Sequence, residues 1–209
     1  MKPVDPLEKK RPGRPLSFDR EEALNKAMRQ FWRTGYETTS VSDLTNAMGI
    51  TAPSLYTAFG DKESLFLECV ARYANPGPKT VAEHIAEAPS ARSAAQDLLH
   101  VAAHWFTQPD SPAGCLVASS ASSGSEASQR ARTALKQVRE AIQSALQTRA
   151  ERDVREARLP KHTQPAVLAA MVMALMQGMS SLARDGAGRE LLEGVARTSM
   201  AAWPQDRSS

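Results

Sequence analysis

Cysteine is scarce in this chain: Cys69 and Cys115 are the two among 209 residues. Two thiols exclude a disulfide-stapled fold and suit a reducing compartment. A dominant charge is also missing, since 26 basic and 23 acidic side chains leave a net charge of +3. That balance does not by itself announce a nucleic-acid partner. Long apolar runs are lacking too. The most apolar stretch, 166–176, ends at Gln177, so no membrane-spanning segment and no membrane partner are expected. The N-terminus is basic but has no apolar centre of the signal-peptide kind, which points to the cytoplasm. There is no nucleophile elbow, phosphate loop or paired-carboxylate arrangement, and the serines between 119 and 128 have no motif-linked base. Neither an enzyme nor a cofactor is expected, and no catalytic residue is assigned. Strand-like alternation is absent, while the 13 prolines and 11 glycines fall mostly between helix-periodic segments. The expected class is all-α.

What is present is unevenly placed. Eight of the eleven aromatic residues lie at or before Tyr73, and the later chain is filled with Ala, Leu, Val and Met. This divides the chain into an arm at 1–17, a compact head at 18–62 and a larger body at 63–209. The arm has four prolines and no periodic pattern, and its basic residues Lys9, Lys10, Arg11 and Arg14 have no acid among them. In RPGRP, proline and glycine keep the chain thin while Arg11 and Arg14 project from it. A thin cationic strand suits the DNA minor groove; the plainer reading is a solvated basic tail.

The head centres on Val41 to Phe59, VSDLTNAMGITAPSLYTAF. Two short amphipathic segments flank Gly49, whose freedom at positive φ ends the first and turns the chain. Leu44, Met48, Ile50, Leu55 and Ala58 are placed to share one small core. Ser40 with Asp43 and Thr51 ahead of Pro53 supply helix starts. The second segment keeps Ala52, Pro53, Ser54, Tyr56 and Thr57 outside, a small polar face suited to close approach. This is the layout of a helix-turn-helix, whose second helix enters the major groove. Asp19 with Glu22 predicts a capping box for a helix over 20–34, and Asp61 caps another from Lys62 to about Ala74. Lys62 is a cation in a first helical turn, against the dipole preference, and a phosphate would account for it.

From Phe18 to about Leu67 the sequence resembles the DNA-binding head of the TetR/AcrR family of transcriptional regulators. The resemblance rests on Gly35-Tyr36, Thr38-Thr39-Ser40-Val41, Met48-Gly49-Ile50-Thr51 and above all Leu55-Tyr56-x-x-Phe59-x-x-Lys62-Glu63-x-Leu65. It implies about nine helices, a homodimeric repressor, a palindromic double-stranded operator and a small-molecule effector bound in the body. By position, it places Thr51, Ala52, Pro53, Ser54 and Thr57 at bases and Thr39, Ser40, Tyr56 and Lys62 at phosphates. Thr45 stands where the family usually has alanine. Ala52 and Ala58 replace longer polar side chains, so recognition is expected to lean on methyl contacts, phosphate geometry and the arm.

In the body, helices are expected over about 79–88, 91–106, 115–122, 126–157, 163–184 and 188–203. The segment 163–184 is apolar nearly all round and needs more than one partner. With the strips Ala174, Gly178, Ser181 and Gly194, Thr198, Ala201, it predicts a homodimer through about 163–203. The candidate effector pocket comprises His100, His104, Trp105, Cys115, Met173 and Met176. His100 and His104 have metal-ligand spacing, but two histidines by themselves are weak evidence, so no metal is assigned. Cys115 opens a predicted helix, which would favour its thiolate and suit a redox- or electrophile-sensing repressor. A second alternative is an architectural, nucleoid-type DNA-binding protein without an effector.

Overall fold

The computed structural model describes residues 18–119 and 129–204, which form ten helices: α1 Arg20–Thr34, α2 Val41–Met48, α3 Ala52–Phe59, α4 Lys62–Ala74, α5 Val81–Glu87, α6 Ala91–Trp105, α7 Leu116–Ser119, α8 Gln129–Arg155, α9 Pro165–Arg184 and α10 Arg189–Ala201. The all-α class holds, with one helix more than the nine expected. The first four begin and end where local signals place them. Asp19, Ser40, Thr51 and Asp61 each accept a hydrogen bond from a first-turn amide, and Gly35, Gly49 and Gly60 follow the ends of α1 to α3. The capping box predicted at Asp19 is only half formed. Asp19 accepts from the Glu21 and Glu22 amides, but the Glu22 carboxylate reaches forward to Lys26 at 2.8 Å. The arm, with Arg11 and Arg14, and the SSGSEAS stretch at 122–128 lie outside the described residues.

Two apolar cores stack along the molecule. One joins α1 to α4 through Leu24, Phe31, Leu44, Leu55, Phe59, Leu65 and Phe66, then runs on to Leu116, Val117, Ala131 and Leu135 of α7 and α8. The other fills the body between α5, α6, α8, α9 and α10. Cys115 packs against both. Ion pairs tie α4 to its neighbours. Arg20 grips Glu68 with two bonds of 2.6 and 2.7 Å, and Arg130 of α8 meets Glu63 at 2.9 Å. The head is thereby fastened to the body through α4.

α9 corrects one expectation. It is 20 residues long and holds an 18-residue window of mean hydropathy 1.7, enough to cross a membrane by length and composition alone, since Gln177 does not break it. Its apolar surface is divided. Leu168, Val172, Met173, Met179 and Ala183 are buried within the chain, while Val167 and Leu182 are exposed.

Candidate nucleic-acid interface and internal cavity

The turn of the helix-turn-helix forms as its residues dictate. Gly49 adopts φ +71°, and its amide and that of Ile50 both donate to the Thr45 carbonyl, closing α2. Thr51 Oγ1 then accepts from the Ser54 amide and opens α3. Leu44, Met48 and Leu55 are buried, with Ile50 and Ala58 packed at their edge. This leaves Thr51, Pro53, Tyr56 and Thr57 exposed on α3, with Ala52 and Ser54 half-buried beside them. The hydroxyls are already engaged: Thr51 and Ser54 share a bond at 2.9 Å, and Thr57 donates to the Pro53 carbonyl at 2.8 Å. The face therefore offers mainly shape and acceptor lone pairs. Tyr56 stands out from it, half exposed at 50%.

Of the predicted phosphate ligands, Thr39 turns inward and Lys62 has a partner within the chain. Thr39 is 1% exposed, donates to the Gly35 carbonyl and shares a 2.6 Å bond with Thr34 Oγ1. Its hydroxyl locks the turn after α1 and has no surface to offer a phosphate. The resemblance carries residue identity but not the direction of the side chain. Lys62 finds compensation inside the chain: its ammonium lies 4.5 Å from the centre of the Tyr36 ring. Burial lowers the Lys62 pKa, opposed by Glu37 and Asp43. The aromatic face explains a cation at the start of α4 without a phosphate, and it also holds that cation in one place. Ser40 is exposed and bonded to Asp43 in the capping box.

A cavity of about 1,090 Å³ opens between head and body. Asn25, Met28, Arg29 and Trp32 of α1 and Leu67, Val70 and Tyr73 of α4 form its head-side wall. α5 to α9 supply most of the rest, including Leu98, Val101, Val117, Ile142, Met173 and Met176. Of the six pocket residues expected from the sequence, Trp105, Cys115, Met173 and Met176 line it. His100 and His104 do not. They lie on the exposed side of α6, where His104 Nε2 meets the side-chain amide of Gln108. A spacing of four puts two side chains on one helix face without saying which face, and the cavity took the face of Leu98, Val101 and Trp105. No cluster of three metal-ligating side chains forms among the described residues.

Sequence reasoning missed Trp32, Tyr73 and Arg139 on this wall. The crowding of aromatics before residue 73 was a signal for the first two; Arg139, on a helix full of charges, gave none. Trp32 and Tyr73 stack edge to face at 5.0 Å, and the Tyr73 hydroxyl donates to Cys115 Sγ at 3.4 Å. Burial, followed by Cys115, pushes the Tyr73 pKa well up, so the phenol stays a donor. The Cys115 amide donates to Ser180 Oγ at 2.9 Å. α7, which follows it, is described over Leu116–Ser119.

α9 and α10 present a separate surface. Ala174, Gly178 and Ser181 are exposed, as are Val167, Leu191, Thr198 and Ala201, while Gly194 is partly covered.

Residues 23–69 match the family model described as bacterial regulatory proteins, tetR family, and 93–198 match the tetracyclin repressor-like C-terminal domain. The chain is 39% identical over 200 residues to the HTH-type transcriptional repressor ComR of Escherichia coli strain K12, covering 94% of each. It is 33% identical over 106 residues to the repressor BdcR of the same strain, covering 51% of this chain and 54% of that one. Among solved structures it is similar to the TetR family regulator CifR, a cysteine mutant complexed with 26-base-pair operator DNA. That likeness has a TM-score of 0.84 at 38% identity and covers 92% of this chain and 100% of the other. With both halves matched and a relative similar along nearly its full length, the chain belongs to the TetR family of bacterial transcriptional regulators.

Proposed function

We propose that the protein is a cytoplasmic transcriptional repressor that binds a palindromic operator as a homodimer and is released by a small molecule in the cavity. The observation that carries this reading is the cavity's wall, which is shared between α1 of the head, α4 that joins head to body, and α5 to α9 of the body. A ligand there touches the elements that aim α3. If it fits better when α4 is displaced, its differential affinity moves the two heads out of operator spacing. An architectural protein without an effector has no use for such a cavity.

On the DNA, α3 acts as a close-fitting wedge, with Ala52, Pro53, Ser54 and Thr57 against base edges and Thr51 at its start. Ser40, Tyr56 and Lys62 contact phosphates. The basic arm with Arg11 and Arg14 adds minor-groove reach. The test begins with selection of bound duplexes, followed by anisotropy titrations at several salt concentrations. Lys62→Met is expected to weaken binding to all selected sequences alike and to lower the salt slope of the dimer by about two units, one for each protomer. An unchanged slope would remove Lys62 from the phosphate contacts, and a failure to select any sequence would count against the repressor.

Dimerisation through α9 and α10 is the second part. A side chain added at Gly178 meets nothing within 4 Å inside the chain. Gly178→Arg should therefore fold normally but leave a monomer by sedimentation, with operator binding lost. A dimer that persists would move the interface elsewhere.

A further inference from the structure

The polar inventory of the cavity wall identifies a class of ligand, an inference that rests on the cavity being the effector site. Among the described residues the wall contains three arginines and no aspartate, glutamate or histidine. The three arginines are not equivalent. Arg72 is engaged by Glu21 and by Asn25 Oδ1 at 2.7 Å, and Arg29 lies exposed at the rim. Arg139 is half-buried, gives one bond of 3.1 Å to the Val117 carbonyl and pairs with no carboxylate among the described residues. A guanidinium has five N–H donors, so most of its capacity faces the cavity unspent.

A second donor stands on the same wall. Trp32 is 4% exposed, and its Nε1 is buried without a partner. A buried donor with no acceptor is a standing penalty, and since this one has no accessible surface a ligand oxygen would relieve it only if the indole turns. The Tyr73 hydroxyl donates its hydrogen to Cys115 and keeps only acceptor lone pairs. The charge on the wall is thus cationic, its other polar side chains, among them Asn25, Ser111, Gln137 and Gln177, are neutral, and the remainder is apolar. Val101 and Trp105, 47% and 51% exposed, leave apolar surface open at the mouth.

We propose that the effector is an amphipathic anion, its carboxylate-type headgroup taken by Arg139 and its hydrocarbon body laid along Val101, Trp105, Ile142, Met173 and Met176. A cation of the same shape meets uncompensated positive charge and is rejected. The headgroup competes with the Val117 carbonyl for Arg139. Val117 is buried in the head's core, so occupation of Arg139 loosens α7 from α8 and passes to the helices that carry the DNA-binding surface.

The experiment uses the full-length protein and three probes of one chain length, each below its micelle concentration: decanoate, 1-decanol and decyltrimethylammonium. Trp32 and Trp105 line the cavity, so tryptophan fluorescence reads binding, and operator release is followed by anisotropy. Decanoate is expected to bind at least about tenfold more tightly than decanol, with the ammonium weakest. Arg139→Gln should abolish the preference while leaving decanol affinity unchanged, and Arg139→Lys should restore part of it. Decanoate binding that is absent, no tighter than decanol, or equally preferred by Arg139→Gln would overturn the anion proposal while leaving the cavity reading in place. Val101→Trp, which blocks the mouth, should weaken all the probes that bind. If it weakens none of them, the cavity itself is not their site, and the underlying reading fails along with the proposal.

Discussion

Asp153→Ala is expected to lower the unfolding free energy by about 3–5 kcal/mol, the range for breaking a buried ion pair from one side. Asp153 and Arg149, one turn apart on α8, are 1% and 3% exposed. Asp153 Oδ2 accepts the Ala91 amide, the first of α6, at 2.6 Å. Its Oδ1 lies 2.8 Å from Arg149 Nη1 and 3.8 Å from Arg158. Arg149 in turn donates to the carbonyls of Ala88 and Pro89. This knot clamps the corner between α5 and α6 onto α8. Alanine at 153 leaves the Arg149 guanidinium buried without a counter-charge and the Ala91 amide without its acceptor. Because folded chains are stable by only about 5–15 kcal/mol, a large share would be lost. Urea unfolding at fixed protein concentration measures it. The double variant Arg149→Met/Asp153→Leu should be less destabilised than Asp153→Ala, since removing both charges leaves none unpaired. A single-variant loss below about 1 kcal/mol would mean that water reaches the site and screens it.

Gly114→Ala is the second large effect, expected at about 2–4 kcal/mol from left-handed strain and overpacking together. Gly114 adopts φ +80°, and a Cβ there would stand 2.8 Å from the Ser180 carbonyl oxygen and 2.8 Å from Arg184 Cγ. The arginine can move, but the Ser180 carbonyl belongs to the backbone of α9 and moves only with that helix. Gly49→Ala provides the control. Gly49 is also left-handed, at φ +71°, but a Cβ there meets nothing within 4 Å. It should cost only the backbone strain, about 1–2 kcal/mol. The difference between the two isolates the close approach at 114. A Gly114 loss no greater than the Gly49 loss would mean that α9 yields freely. The same substitution bears on signalling, because the Cys115 amide is held by Ser180 and Leu116 reaches into the head's core.

Neither site was visible in the sequence for what it does. Helical spacing puts Arg149 on one stripe with Leu135 and Leu146, yet nothing local identifies Asp153 as its partner or the Ala91 amide as the third member. Nothing local marks Gly114 as indispensable, because its steric reason lies 66 residues away, in the Ser180 carbonyl of another helix. The DNA-binding head is the opposite case: α1, α2 and α4 begin and end where Asp19, Ser40, Asp61, Gly35 and Gly49 put them.

The contrast has one physical cause. Caps, left-handed glycines and helical periodicity act over a few residues, so the sequence alone determined the all-α class, the helix-turn-helix and the small outward face of α3. Direction and company are set by packing between distant segments, and only the tertiary structure decided them. It turned Thr39 inward and His100 and His104 outward, rested Lys62 on Tyr36, and gathered Trp32, Tyr73, Cys115 and Arg139 from four separate stretches onto one cavity wall. A periodic pattern tells a helix which face to bury. What that face meets depends on elements that the pattern does not contain.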